Sequence, residues 1–167
     1  SLFIRNRRSL CGNIEEDSIA IFNSNDIMPT NADGVMPFKQ NSDLFWLSGI
    51  NQEESILVIC PGNKNKKERE MLFLKETSEL IAIWEGAKLS KDQAYEVSGI
   101  KSVFWLSEFK KILNKLIDSC DCIYLNKNIH SRSASEVETR DDRFRRMIKN
   151  KKPNKKIKEV APIMHKL

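Results

Sequence analysis

The chain has 167 residues, 40% of them hydrophobic and 31% charged, with a formal net charge of +5. A chain of this length buries roughly 70% of the surface its unfolded form exposes, which suits one sizeable core and is too little for two. No apolar run approaches the ~18 residues of a membrane span and the polar, basic start has no signal-peptide core, so the expectation is a cytoplasmic protein, neither secreted nor inserted in a membrane.

In chain order, Phe3 to Cys11 has helical spacing at Phe3, Arg7 and Leu10, and Gly12 ends it. Asp17 stands as a turn-forming carboxylate before a strand at Ser18–Phe22. The stretch from Asn31 to Ile50, NADGVMPFKQNSDLFWLSGI, has no clean helix or strand period and is rich in fixed-geometry polar side chains and aromatics. Asn31, Asp33, Gln40, Asn41 and Asp43 can each bridge backbone groups of neighbouring segments. Phe38, Phe45 and Trp46 offer apolar area to anchor the loop on a core. Ser42 reads as the N-cap of a short helix through Leu47, Asp43 favours its positive end, and Gly49 reads as its left-handed stop.

Strands follow at Ser55–Cys60, Met71–Leu74 and Leu80–Trp84. The turn-rich Pro61-Gly-Asn-Lys-Asn and the short Lys75-Glu-Thr-Ser between them predict an antiparallel meander. Ser90 and Gln93 form a capping box for a helix that Gly99 closes. Then come a strand at Ser102–Leu106, a helix Glu108–Asp118 capped by Ser107, a strand at Asp121–Leu125, and a helix from Ser135 to Asn150 that ends before Pro153. Late alternation of strands and helices implies parallel pairing through crossovers, so the fold class is α/β, a mixed β-sheet flanked by helices. No internal repeat is visible, and the only linker-like stretch is the lysine-rich patch around Pro153.

Charge is uneven. Ser1 to Asp142 carries 18 basic and 22 acidic residues, while Arg143 to Lys158 carries 9 basic and none acidic. Clustered Lys and Arg can bind nucleic-acid phosphates or an acidic patch on a partner subunit. Phe144, Met147 and Ile148 at i, i+3 and i+4 instead favour an amphipathic helix docked on a core with its charges in water.

Chemistry-bearing motifs are scarce. Cys11, Cys60, Cys120 and Cys122 show no disulfide or zinc spacing, and Cys60 reads as a small core residue. His130 and His165 have no partner at ligand spacing. There is no Gly-x-Ser-x-Gly, no His-Glu-x-x-His and no phosphate-cradling glycine loop. Glu85 reads as an exposed turn carboxylate and His165 as packing at a junction. The expectation is no catalytic residue and no metal ligand within the chain.

The run Pro37-Phe38-Lys39-Gln40-Asn41-Ser42-Asp43, the tetrad Ile83-Trp84-Glu85-Gly86, Asp17 to Phe22 and the final Ala161 to Leu167 together resemble the amino-terminal domain of Xaa-Pro aminopeptidase, or aminopeptidase P, in the creatinase-like family. The resemblance implies a ribonuclease-H-like topology over residues 1–160 and a connector at 161–167 leading to a pita-bread catalytic domain that is not in this sequence. In that family two divalent ions, typically manganese, are held in the catalytic domain by two Asp, one His and two Glu. The resemblance further implies a dimer or tetramer acting on peptides with proline second, with no role for nucleic acid or membrane.

Trp84 would reach from one subunit into the active-site mouth of its neighbour and receive the proline ring; the alternative is core cover at a strand end. Asp33 would face the substrate cleft; the alternative is an Asx-turn holding the loop. An arginine of the late helix, among Arg140, Arg143, Arg145 and Arg146, would enter a neighbouring cleft in some members. Asn31, Pro37, Phe38, Gln40, Asn41, Ser42, Asp43, Trp46, Gly49 and Gly86 make up the structural motif. A different reading of the same resemblance is a non-catalytic module that binds a peptide or protein.

Overall fold

A computed structural model describes residues 1–128 and 137–167, with the side chain of Trp84 outside the described part. Helix α1 (Leu2–Cys11) leads into strand β1 (Ser18–Asn23), followed by helix α2 (Ser42–Ser48) and strands β2 (Ile56–Ile59) and β3 (Glu70–Leu74). Then come helices α3 (Glu79–Glu85) and α4 (Lys91–Ser98), strand β4 (Ser102–Trp105), helix α5 (Phe109–Ser119) and strand β5 (Cys122–Leu125). Helix α6 (Arg140–Lys151), strand β6 (Lys156–Glu159) and helix α7 (Ala161–Met164) complete the chain.

The strands form one six-stranded sheet in the order β4-β3-β2-β1-β5-β6. β2 is antiparallel to β1 and β3, while β1–β5, β5–β6 and β3–β4 are parallel. This is the mixed, helix-flanked sheet expected from the sequence. Its β3-β2-β1-β5-β6 portion has the ribonuclease-H-like order, and β4 extends it beside β3.

Strands buried on both faces read as unbroken apolar runs, and alternate residues feed two cores. Ala20, Phe22, Leu57, Ile59, Leu72 and Leu74 pack with Leu10, Leu44, Leu47 and Ala94 of α1, α2 and α4. Ile19, Ile21, Val58, Met71, Phe73 and Ile123 pack with Phe109, Leu113 and Ile117 of α5 and Ile148 of α6. Phe144 and Met147 join this second core, as the stripe on α6 predicted. Cys60 is buried, as expected.

Three expectations are corrected. Leu80–Trp84 is helical, within α3. Ser78 caps that helix by accepting a hydrogen bond from Ile81 N at 3.2 Å, and Gly86 at φ 81° stops it. The edge of β3 that a third meander strand would use is taken by β4. The cap of α2 is Asn41, whose Oδ1 accepts from Asp43 N and Leu44 N at 3.0 and 3.2 Å, and Ser42 is the first helical residue. The late helix begins after Thr139, which caps it with Asp142 in a capping box; the expected start at Ser135 lies outside the described residues.

β6 was not expected, since a Lys-Ile-Lys-Glu strand offers one apolar residue. The sheet recruits it because Ile157 faces the α5–α6 core and β5 supplies a free parallel edge. Ser107 lies in a 3-10 turn, Leu106–Glu108, that leads into α5. α7 buries Ala161 and Met164. Among the described residues no helix is long and apolar enough to cross a membrane.

The carboxyl edge of the sheet as candidate functional site

Because only β2 runs backwards, the carboxyl ends of the other five strands lie along one edge. Crevices outside such carboxyl ends are where open α/β sheets bind ligands. Residues 24–41 leave this edge after β1, and the α3 segment leaves it after β3. The two sequence motifs, some 40 positions apart, therefore emerge on the same side.

Residues 28–36 form a small hairpin, closed by Met36 N donating to Met28 O at 2.8 Å and Thr30 N donating to Gly34 O at 2.9 Å. Asn31, Ala32 and Asp33 are its exposed tip. A Cβ on Gly34 would lie 2.5 Å from Thr30 Oγ1, so a side chain there would make the Thr30 hydroxyl shift. The turn is closed by Gly34 N donating to Asn31 O, not by an Asx side chain. Asp33 makes no hydrogen bond or ion pair among the described residues, so its carboxylate faces water uncompensated. Ile27, Met28, Val35 and Met36 leave apolar surface exposed on the same loop.

The base of the loop is fixed in several places. Arg143 pairs with Asp26, and Arg140 Nη1 donates to Ser24 Oγ at 2.8 Å. Ser24 and Ser55 tie β1 to the start of β2 through Ser24 N to Ser55 O at 2.9 Å and Ser55 N to Ser24 Oγ at 3.2 Å. Gln40 is buried and acts as a hub. Its Nε2 donates to Ile50 O at 3.1 Å and Gln52 O at 2.9 Å, while its Oε1 accepts from Asn41 N at 2.8 Å. Asp43 Oδ2 accepts from Asn126 Nδ2 at 2.8 Å, which joins the start of α2 to the end of β5.

Gly49, at φ 72°, ends α2 as expected, and a Cβ there would lie 2.4 Å from the Phe3 ring. Buried Arg7 donates from Nη1 to Leu47 O at 2.8 Å and so closes the same helix end. Ser48-Gly49-Ile50 recurs as Ser98-Gly99-Ile100 at the end of α4. In both, the serine Oγ donates to the carbonyl four residues back and accepts from the amide two residues on. The sequence reading missed this local repeat. Trp46 and Phe38 are half-buried, whereas Phe45, expected as an anchor, is 45% exposed. It borders an apolar hollow of about 490 Å³ with Leu2, Phe3 and Trp46.

On the α3 side, Lys75 bridges Glu85 at 2.7 Å and Glu54 at 3.1 Å. Those two hydrogen bonds raise the Lys75 pKa. Glu85 is thus tied to Lys75 at the end of α3. Leu80 and Ile83 are each 73% exposed and present an uncovered apolar face. Trp84 lies in this helix, and its side chain is outside the described residues.

Two hollows share the N-terminus of α6. One of about 300 Å³ lies between the hairpin and α6, with Asp26, Met28, Met36, Arg140 and Asp141 on its walls. The other, about 390 Å³, is walled by Asn41, Asp43, Asn126, Lys127, Asp141 and His165. Asp141, common to both, accepts from Asn23 Nδ2 at 3.0 Å, and burial pushes its carboxyl up to about 6. Burial also lowers the Arg140 pKa. The sequence offered four late arginines without choosing among them. In the fold Arg140 and Arg143 hold the loop, Arg145 pairs with Glu159, and Arg146 pairs with Glu138. Asp141 was not singled out, because its burial depends on β1 passing beneath α6.

Among the described residues no three His, Cys, Asp or Glu side chains converge as metal ligands. Asp26, Asp43 and Asp141 are each bound to a different polar side chain. The two divalent ions that the resemblance implies therefore find no ligand set in these residues.

The sequence model described as "Aminopeptidase P, N-terminal domain" matches residues 3–124. The chain is 28% identical over 122 residues to the Xaa-Pro aminopeptidase of Escherichia coli strain K12, covering 73% of this chain and 27% of that protein. It is 25% identical over 166 residues to the mitochondrial intermediate cleaving peptidase 55 of Arabidopsis thaliana, covering 99% of this chain and 31% of that protein. The chain spans less than a third of the curated relatives it matches. A Bacillus anthracis structure described as a candidate aminopeptidase P superposes with TM-score 0.86 at 23% identity, covering 98% of this chain and 38% of that one. The low-pH form of E. coli aminopeptidase P gives TM-score 0.78 at 22% identity, covering 98% and 37%. At these identities the solved structures speak for the fold alone.

Proposed function

The chain belongs to the aminopeptidase P N-terminal domain family, and from that premise we propose that it is the substrate-admitting domain of a proline-specific metallopeptidase. The observation that supports this reading best is that the hairpin carrying Asp33 and the helix carrying Trp84 emerge on one edge of the sheet, although far apart in sequence.

In this reading the chain's own residues bind and orient the peptide. The uncompensated Asp33 carboxylate attracts the cationic amino end of a peptide. The flat Trp84 indole receives the stiff pyrrolidine of the second residue and asks for no N–H, which proline lacks. The exposed apolar surfaces of α3 and the hairpin serve as contacts between subunits of a dimer or tetramer. In this reading hydrolysis, with its manganese dependence, belongs to residues outside this chain. The proposed compartment is the cytoplasm.

The test is to express the chain together with the reading frame that follows Leu167 and to assay manganese-dependent release of the first residue from Xaa-Pro peptides. Trp84→Ala and Asp33→Ala should each depress kcat/KM sharply while the protein stays folded. A folded, metal-supplied protein with no hydrolysis would overturn the peptidase reading and favour the peptide- or protein-binding module. Full activity in both variants would remove these two residues from the cleft.

A further inference from the structure

At the opposite, amino edge of the sheet lies a hollow of about 400 Å³ walled by Lys66, Lys67, Arg69, Glu70, Gly99 and Lys101. Its lining follows from the topology. Lys66 to Arg69 form the turn before β3, and Lys101 precedes the parallel neighbour β4, so two basic segments meet where the paired strands begin. Ser102 Oγ donates to Lys67 O and holds the two segments together.

The charges around this hollow are arranged as follows in the fold. Lys66, Lys67 and Lys101 have no carboxylate partner among the described residues. The one carboxylate in the lining, Glu70, is already engaged: Arg7 Nε lies 2.9 Å from its Oε2, and the Arg7 side chain is fully buried. Arg7 Nη2 has no hydrogen-bond partner and lies 4.0 Å from where a Gly99 Cβ would stand, so an unused N–H of a guanidinium already paired with Glu70 lies just behind the wall. Glu68, the nearest other acid in sequence, is not part of the lining.

The chemistry of the walls selects the occupant. Every lining side chain is charged, and Gly99 contributes bare backbone. Its apolar surface comes from the stems of these charged side chains and from Gly99, and no aliphatic or aromatic side chain lines it for an organic body or a peptide's side chains, as most small-molecule pockets provide. Arg and Lys donors converging on a concavity are the usual recognition chemistry for phosphoryl oxygens. We propose that this hollow binds a small tetrahedral oxyanion, inorganic phosphate or the phosphoryl group of a small phosphomonoester. The site is independent of the proposed peptidase role, because it shares no residue with the carboxyl edge and is tested without activity.

The experiment is a titration of the 167-residue chain with sodium phosphate at constant ionic strength set by chloride, followed by amide chemical shifts. The expected result is saturable shifts confined to Lys66–Glu70 and Gly99–Lys101. The exposed double variant Lys66→Gln/Lys101→Gln should weaken binding by about tenfold or more. Lys149→Gln, in the basic α6 segment, should leave it unchanged. A parallel titration with glycerol phosphate separates the sources: tighter binding than phosphate identifies a phosphomonoester, and equal or weaker binding identifies the free anion. Shifts that do not saturate, that spread equally over the Arg143–Lys158 segment, or that persist in the double variant would overturn the proposal.

Discussion

Gln40→Ala tests the hub that fixes the Asp33 loop to the sheet. The substitution removes donors to Ile50 O and Gln52 O and an acceptor for Asn41 N, all at 3.1 Å or less. Gln52 O keeps Ser55 Oγ at 2.7 Å, so Ile50 O is left without a partner in a buried place and Asn41 N in a half-buried one. At about 1 kcal/mol for each lost hydrogen bond, with a further penalty for stranded groups, the cost is roughly 3 kcal/mol. For a domain of this size that lowers Tm by roughly 6–12 °C. Urea and thermal unfolding followed by circular dichroism measure both quantities. Gln40→Glu sharpens the test, because its ionised carboxylate would face two carbonyl oxygens with no proton to donate. The native state then favours the protonated form, so Gln40→Glu should lose stability as pH rises above the ordinary carboxylate range and regain it on acidification. A Gln40→Ala penalty below about 0.5 kcal/mol, the scale of an ordinary surface change, would refute the hub.

Gly49→Ala forces a left-handed φ on alanine and drives its Cβ into the Phe3 ring, so a loss of about 2 kcal/mol or more is expected in denaturant melts. Adding Phe3→Ala should make the combined cost less than the sum of the two single costs, a coupling read from the double-mutant cycle. Asp141 has its pKa raised by burial to about 6, so between pH about 4 and about 6 the native state holds a proton that the unfolded chain has released. Stability should therefore fall as pH rises through that window. Asp141→Asn should flatten the dependence and gain roughly 1–2 kcal/mol at pH 8, a figure discounted for partial exposure. Ser78→Ala removes the cap of α3 at an expected cost of about 1 kcal/mol, visible as faster amide exchange at Ala82 and Gly86 with the rest of the chain unchanged.

Ser18–Asn23, Ile56–Ile59 and Cys122–Leu125 were legible because strands covered on both faces must be apolar along their whole length. α4 and the end of α2 were legible because Ser90, Gln93, Gly49 and Gly99 carry out local capping chemistry that needs no distant partner. Leu80–Trp84 was misread because a five-residue apolar run has no period long enough to separate strand from helix. What settled it was the Ser78 cap together with a neighbouring edge already occupied by β4. β6 escaped notice because an edge strand needs only one buried residue, and its lysines mark the edge as solvent-facing.

The candidate site divides along the same line. The resemblance supplied Asp33 and Trp84, and local turn chemistry set the residues of the hairpin tip. That Asp33 has no partner among the described residues is read from the fold, and that Asp141 is buried against Asn23 and that Arg140 and Arg143 hold the loop depend on contacts across more than 100 positions of chain. The basic hollow arises in the same way, from two basic segments that the parallel β3–β4 pair brings side by side. Sequence alone determined which segments fold locally and which residues they carry, because capping, turns and hydrophobic period act within a few residues. Only the tertiary structure decided which of those residues face one another, because strand direction and order set those distances and no local pattern encodes them.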